Sequence, residues 1–96
     1  MNLGSVIKKI RQDRKQTQTE FASACGITQT YLSQIESNSK EPNLSTLKEI
    51  SKAIDVPLPI LFFLSLDKQD IDPKKRADFE LLSPKVKELV NEFFGL

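Results

Sequence analysis

The side chains that could do chemistry are few and scattered. The 96-residue chain has no histidine and one cysteine, Cys25. This excludes an internal disulfide, a Cys/His zinc cluster and a Cys-His nucleophilic pair. Cys25 therefore reads as a small apolar core residue. Asp70 and Asp72 approach a carboxylate pair, but they lie on a polar, proline-bounded segment where nothing organises them. An enzyme is not expected, and no metal, cofactor or small-molecule effector is expected either. What remains is the chemistry of carboxamides and hydroxyls, concentrated in Gln29, Thr30, Tyr31, Ser33 and Gln34. A carboxamide both donates and accepts, so it can pair with adenine N6 and N7 on a base edge. Exposed glutamines also merely solubilise helices, so the reading depends on the elements that hold them.

Those elements are helical. No segment alternates apolar and polar residues, whereas spacings of three and four recur throughout. Leu3, Ile7 and Ile10 form the stripe of a first helix over about 3–14. Thr17-Gln18-Thr19-Glu20 is a capping-box pattern that opens a second helix carrying Phe21, Ala22 and Cys25, and Gly26 ends it. Thr28 caps a third helix running to about Ser37 with Leu32 and Ile35 inward. The loop Ser37–Pro42 follows, with Asn38 its best left-handed residue. Asn43 caps a fourth helix with Leu47, Ile50, Ala53 and Ile54 on one side. Pro57-Leu58-Pro59 opens a fifth, apolar all round, through Leu66. Beyond it, Asp72-Pro73 predicts a short helix with Phe79 and Leu82, and Ser83-Pro84 a last one with Val86, Leu89, Val90, Phe93 and Phe94.

The total charge of +1 conceals an uneven distribution. Residues 1–40 hold six bases (Lys8, Lys9, Arg11, Arg14, Lys15, Lys40) against three acids, while residues 41–96 hold eight against ten. A basic front and an acidic rear suit a protein that meets nucleic acid on one side. The longest apolar run, Val56 to Leu66, is 11 residues and broken by prolines, too short for the ~20 that span a bilayer. With no leader-like start, a cytoplasmic, nucleoid-associated protein is expected.

Two short helices joined by a tight glycine-containing turn form a helix-turn-helix, in which the second helix enters the DNA major groove. On these residues the chain resembles the Cro/C1-type (XRE-like) helix-turn-helix regulators. Their spaced pattern is met by Thr17-Gln18-Thr19-Glu20-Phe21-Ala22, Gly26-Ile27-Thr28 and Leu32-Ser33-Gln34-Ile35-Glu36, and extends through Pro42, Leu47, Ile50, Ala53 and Val56. The resemblance covers about residues 6–66, with the motif at about 17–37. Within the family, Tyr31 to Glu36 and Asn38-Ser39-Lys40 look most like the controller proteins of restriction-modification systems. Gln16 stands where the family usually has a large apolar residue, and Asn38 where it often has glycine.

The resemblance implies an all-α, five-helix Cro/C1-repressor-like domain over 1–66; the C-terminal helical extension over 67–96 either serves as a dimerisation element or folds back on the core, and the sequence does not choose. It implies base reading by Gln29, Thr30, Tyr31, Ser33 and Gln34, and phosphate contacts from Thr17, Gln18, Asn38, Ser39 and Lys40. It implies a structural ion pair, Arg11 with Glu36. The all-round apolar fifth helix points to a two-fold interface through Leu58, Leu61, Phe62 and Leu64. The expected function is an autoregulatory, sequence-specific transcriptional regulator acting as a homodimer on pseudo-palindromic operators. Its expected partners are double-stranded DNA, a second copy and RNA polymerase, with no membrane. Alternatives are a phage-type repressor, or an antitoxin-like module whose C-terminal helix binds another protein.

Overall fold

The computed structural model describes residues 1–96 as six α-helices without a strand. They are α1 (Leu3–Asp13), α2 (Gln18–Cys25), α3 (Gln29–Glu36), α4 (Leu44–Ile54), α5 (Leu58–Ser65) and α6 (Arg76–Phe94). Single 3-10 turns, Lys68–Asp70 and Pro73–Lys75, lie between the last two. An all-helical fold and its first five helices follow the sequence pattern closely.

The helix starts are set locally. The side chains of Asn2, Thr17, Thr28 and Asn43 each accept from a backbone N–H three residues on, at 3.2, 3.1, 3.1 and 2.8 Å. Each satisfies a donor that the first helical turn would otherwise leave orphaned. The second cap is reciprocal, because the Glu20 carboxylate accepts from the Thr17 N–H at 3.0 Å. The chain then turns in left-handed conformations at Gly26, Asn38 and Asp55. Asn38 takes φ 60° without being glycine, as a short polar side chain permits.

Ile7, Phe21, Leu32, Ile50 and Leu61, one from each of α1 to α5, are all 0% exposed, so five helices share one core. This corrects the expected interface, since Leu61 is consumed by its own domain and cannot face a second copy. Leu58, Phe62 and Leu64 keep partial exposure. Cys25 is buried in the same core, and burial pushes its thiol up to about 11, which makes it inert as a nucleophile at neutral pH.

The extension differs from the two helices expected. Residues 76–94 form one 19-residue helix that runs through Pro84. Proline removes the N–H that would pair with the Glu80 carbonyl. Glu80 and Pro84 are both exposed, so water can take the partner's place. The apolar spacing of three and four also continues unbroken across the proline, from Phe79 through Leu82 and Val86 to Leu89. Ser83-Pro84 therefore resembles a helix start without being one. α6 folds back on the five-helix unit, where Phe94 and Leu96 pack on the core. A cleft of about 380 Å³ remains between it and Val6, Lys9, Ile10, Asp13 and Leu64.

Gly4 marks the tightest approach in the fold. A Cβ there would lie 2.3 Å from the Ile35 carbonyl oxygen and 2.9 Å from that of Glu36, both backbone atoms of α3. Only glycine lets α1 run this close to the end of the third helix. Gly26 is needed for the opposite reason: its φ is 70°, yet a Cβ would meet nothing within 4 Å. Gly4→Ala should therefore destabilise by at least ~2 kcal/mol through overpacking, and Gly26→Ala by only about 1 kcal/mol of backbone strain. Thermal melts of the two variants check that order, and a Gly4→Ala protein as stable as the parent would contradict it.

Candidate nucleic-acid interface

α2, the turn Gly26-Ile27-Thr28 and α3 form a helix-turn-helix held from below by a buried ion pair. Arg11 and Glu36 are 8% and 5% exposed. The guanidinium grips the carboxylate with two hydrogen bonds, Nε to Oε2 at 2.7 Å and Nη2 to Oε1 at 3.0 Å. The carboxylate holds the Arg11 proton still more firmly than usual. Nη1 donates to the Gln16 carbonyl at 2.8 Å. That bond secures the first connection at the position where the family usually has an apolar residue.

The pair is wired outward. Gln18 Nε2 donates to Glu36 Oε1 at 3.0 Å, and Gln18 Oε1 accepts from Gln29 Nε2 at 2.7 Å. A carboxamide carries two N–H donors and one carbonyl acceptor. Gln29 thus retains one N–H and its carbonyl oxygen, the two groups that a bidentate contact to adenine requires. Gln18 retains one N–H, enough for a single phosphate oxygen.

Helical spacing groups Gln29, Thr30, Ser33, Gln34 and Ser37 on the side of α3 away from Leu32 and Ile35. Gln29 and Thr30 are exposed, and Ser33 and Gln34 are partly so. Tyr31 is partly exposed and packs against the core from the other side. Ser37 was not singled out from the sequence, although it lies four residues beyond Ser33 on the same face. Its hydroxyl lies 2.9 Å from that of Ser39, and both hydroxyls donate to the Gln34 carbonyl.

The expected phosphate contacts divide in the same way. Thr17 serves the capping box through its oxygen, leaving the hydroxyl proton free to donate. Asn38 is committed inward, accepting from the Gly4 N–H at 3.2 Å and donating to Asn2 Oδ1 at 2.8 Å. These bonds tie the loop to α1 and leave Asn38 one N–H, as Gln18 keeps one. The Ser39 and Lys40 N–H groups both bond the Gln34 carbonyl, so the loop leaves α3 in a fixed direction with Lys40 exposed. The basic front is smaller than its charge suggests. Arg11 is buried, Lys9 pairs with Asp13 at 2.8 Å and Arg14 donates to the Ile54 carbonyl. Lys8, Lys15 and Lys40 are exposed and form no ion pair.

A helix-turn-helix family model matches residues 7–61, more than half the chain, including the Arg11–Glu36 pair and all of α2, the turn and α3. The chain belongs to the Cro/C1-type (XRE-like) helix-turn-helix family. Among its relatives in the family, the immunity repressor protein of Bacillus phage phi105 is 38% identical over 56 residues, 58% of this chain and 39% of the relative. The ImmF control region 10 kDa protein of the same phage is 41% identical over 59 residues, 62% of this chain and 66% of that protein. The regulator SutR of Escherichia coli (strain K12) is 34% identical over 55 residues, 57% of this chain and 31% of that protein. The chain thus matches less than two thirds of the length of each of these relatives. No group of three or more His, Cys, Asp or Glu could hold a metal ion, and no helix is long and apolar enough to cross a membrane.

Two measurements probe this architecture. Arg11→Ala should cost roughly 3–5 kcal/mol in denaturant unfolding, because it strands a buried carboxylate. A loss below 1 kcal/mol would contradict the buried, fully paired geometry. At the capping box, the hydrogen bonds from Thr17, its backbone N–H first, hold the exposed Glu20 carboxyl below its ordinary range. A folded value below the unfolded one contributes stability that is complete above about pH 4.3 and disappears as pH falls through the folded value. Glu20→Gln should therefore show a shallower loss of stability below pH 5 than the parent, and an unchanged acid limb would argue against the box.

Proposed function

We propose that this protein is a sequence-specific, DNA-binding transcriptional regulator that acts as a homodimer on a pseudo-palindromic operator and controls its own gene. The observation that carries the reading is the outward face of α3. Gln29 is held by Gln18 in a pose that leaves its base-pairing groups free, and Thr30, Ser33 and Gln34 surround it. Two copies with paired third helices about one DNA turn apart, ~34 Å, would read both halves of a two-fold site. Thr17, Gln18, Ser39 and Lys40 supply backbone contacts, and Gln29, Thr30, Ser33 and Gln34 read bases. Double-stranded DNA and a second copy are its partners, in the cytoplasm with the nucleoid. RNA polymerase is a further partner if the regulator activates as well as represses.

Of the narrower readings, a phage-type repressor draws support from the names of the phi105 relatives, an immunity repressor protein and an ImmF control region protein. The restriction-modification controller reading rests on the residues Tyr31 to Glu36 and Asn38 to Lys40 alone. Both expect autoregulation, so a nuclease footprint on the DNA upstream of the protein's own gene tests what they share. A protected two-fold site is the expected result, and no protection above the level of random DNA would overturn the proposal. Gln29→Ala and Gln34→Ala should each reduce discrimination between operator and random DNA roughly tenfold or more, with little change in melting temperature. Lys40→Ala should weaken binding to all sequences alike and reduce the slope of log affinity against log salt by about one per lost contact.

A further inference from the structure

We propose that a second copy of this chain docks on the outer face of α6, the two helices running antiparallel about a two-fold axis near Lys87 and Glu88. The inference rests on the homodimer reading above and specifies its interface. α6 contains no buried residue. Phe79, Ser83, Lys87, Val90 and Phe94 lie half-buried on one side of it. On the adjoining side, Leu82, Val86, Leu89 and Phe93 are 53%, 43%, 67% and 82% exposed. Their spacing of four, three and four is that of a helix-pairing seam rather than a solvated face.

The stripe is complementary to itself. In the antiparallel register, Leu82 meets the partner's Phe93 and Val86 meets the partner's Leu89, and symmetry repeats both contacts, so every member is covered. The same register settles two charges that the chain leaves open. Lys85 and Glu92 flank the stripe on one edge, seven residues apart, and neither forms an ion pair within the chain. Antiparallel pairing sets Lys85 against the partner's Glu92 twice. Sliding by one heptad would set Lys85 against the partner's Lys85 and leave Phe93 uncovered. A parallel pair would bring Lys85 beside position 90 and leave both charges without partners.

A groove of about 370 Å³, lined in part by Phe63, Ile71, Phe79, Leu82 and Val86, adjoins the stripe where the partner's Phe93 arrives. It offers an apolar receptacle for the most exposed aromatic ring of the chain. α6 then gives two-fold symmetry to a protein whose Leu61 is taken up by its own core.

Charge-swap variants of the full-length chain, followed by sedimentation equilibrium at tens of micromolar, test the interface. The parent should be dimeric. Lys85→Glu and Glu92→Lys, each alone, should weaken self-association roughly tenfold by opposing like charges, and an equimolar mixture of the two should restore it as a heterodimer. Leu89→Glu should be monomeric with an unchanged helical circular-dichroism spectrum at low temperature and a melt that no longer depends on protein concentration. A dimeric parent unaffected by Leu89→Glu, or a mixture that fails to recover association, would overturn this interface and leave the homodimer reading standing. A parent that is monomeric throughout would overturn both.

Discussion

The bidentate contact between Arg11 and Glu36 joins the first helix to the end of the third, and the start of α3 is oriented through it. One guanidinium uses three of its nitrogens, two on the Glu36 carboxylate and one on the Gln16 carbonyl. The carboxylate in turn accepts from Gln18, and Gln18 from Gln29. Every step in that chain is a hydrogen bond of 3.0 Å or less, so the orientation of the first residue of α3 follows from a charge pair buried beneath it. Such a pair adds little net stability relative to apolar residues of equal size. Its contribution is direction, because a planar fork on a carboxylate admits few arrangements. Gly4 serves the same end by letting α1 come close enough to α3 for the contact to form.

The distribution of charge bears on how the proposed regulator would divide affinity from specificity. Three of the six bases of the first 40 residues are occupied within the chain, so in the proposed complex Lys8, Lys15 and Lys40 would be the ones to attract phosphate. Phosphate contacts supply the sequence-independent part of binding. A protein with so few of them gains from doubling its contacts in a dimer and from preorganised base readers. The fixed pose of Gln29 lowers the side-chain ordering that binding would otherwise require.

Much of this was legible in the sequence, and particular residues show why the rest was not. The caps Thr17, Thr28 and Asn43 announce three helix starts because each signal is confined to four consecutive residues. The core positions are readable because spacing by three and four is a property of one helix. Pro84 misled because proline in a first turn and proline in mid-helix look alike; what separates them is whether the freed carbonyl, here that of Glu80, is open to water. Leu61 misled because an all-round apolar helix does not say which of its sides its own domain covers. Tyr31 and Asn38 have side chains suited to nucleic acid, yet their direction is fixed by contacts distant in sequence, with the core and with Gly4 and Asn2.

The extension completes the account. Its apolar face is wider than the five-helix unit can cover, and α6 lies half on that unit and half open. In the proposed two-fold DNA reader, the carboxamides of α2 and α3 would read bases and α6 would pair with its own copy. Selection of duplexes from a random-sequence pool by the full-length protein tests this most directly. The account predicts enrichment of a two-fold symmetric motif with half-sites about one helical turn apart, each containing an adenine whose replacement lowers affinity. Recovery of no motif, or of a single asymmetric one, would contradict it.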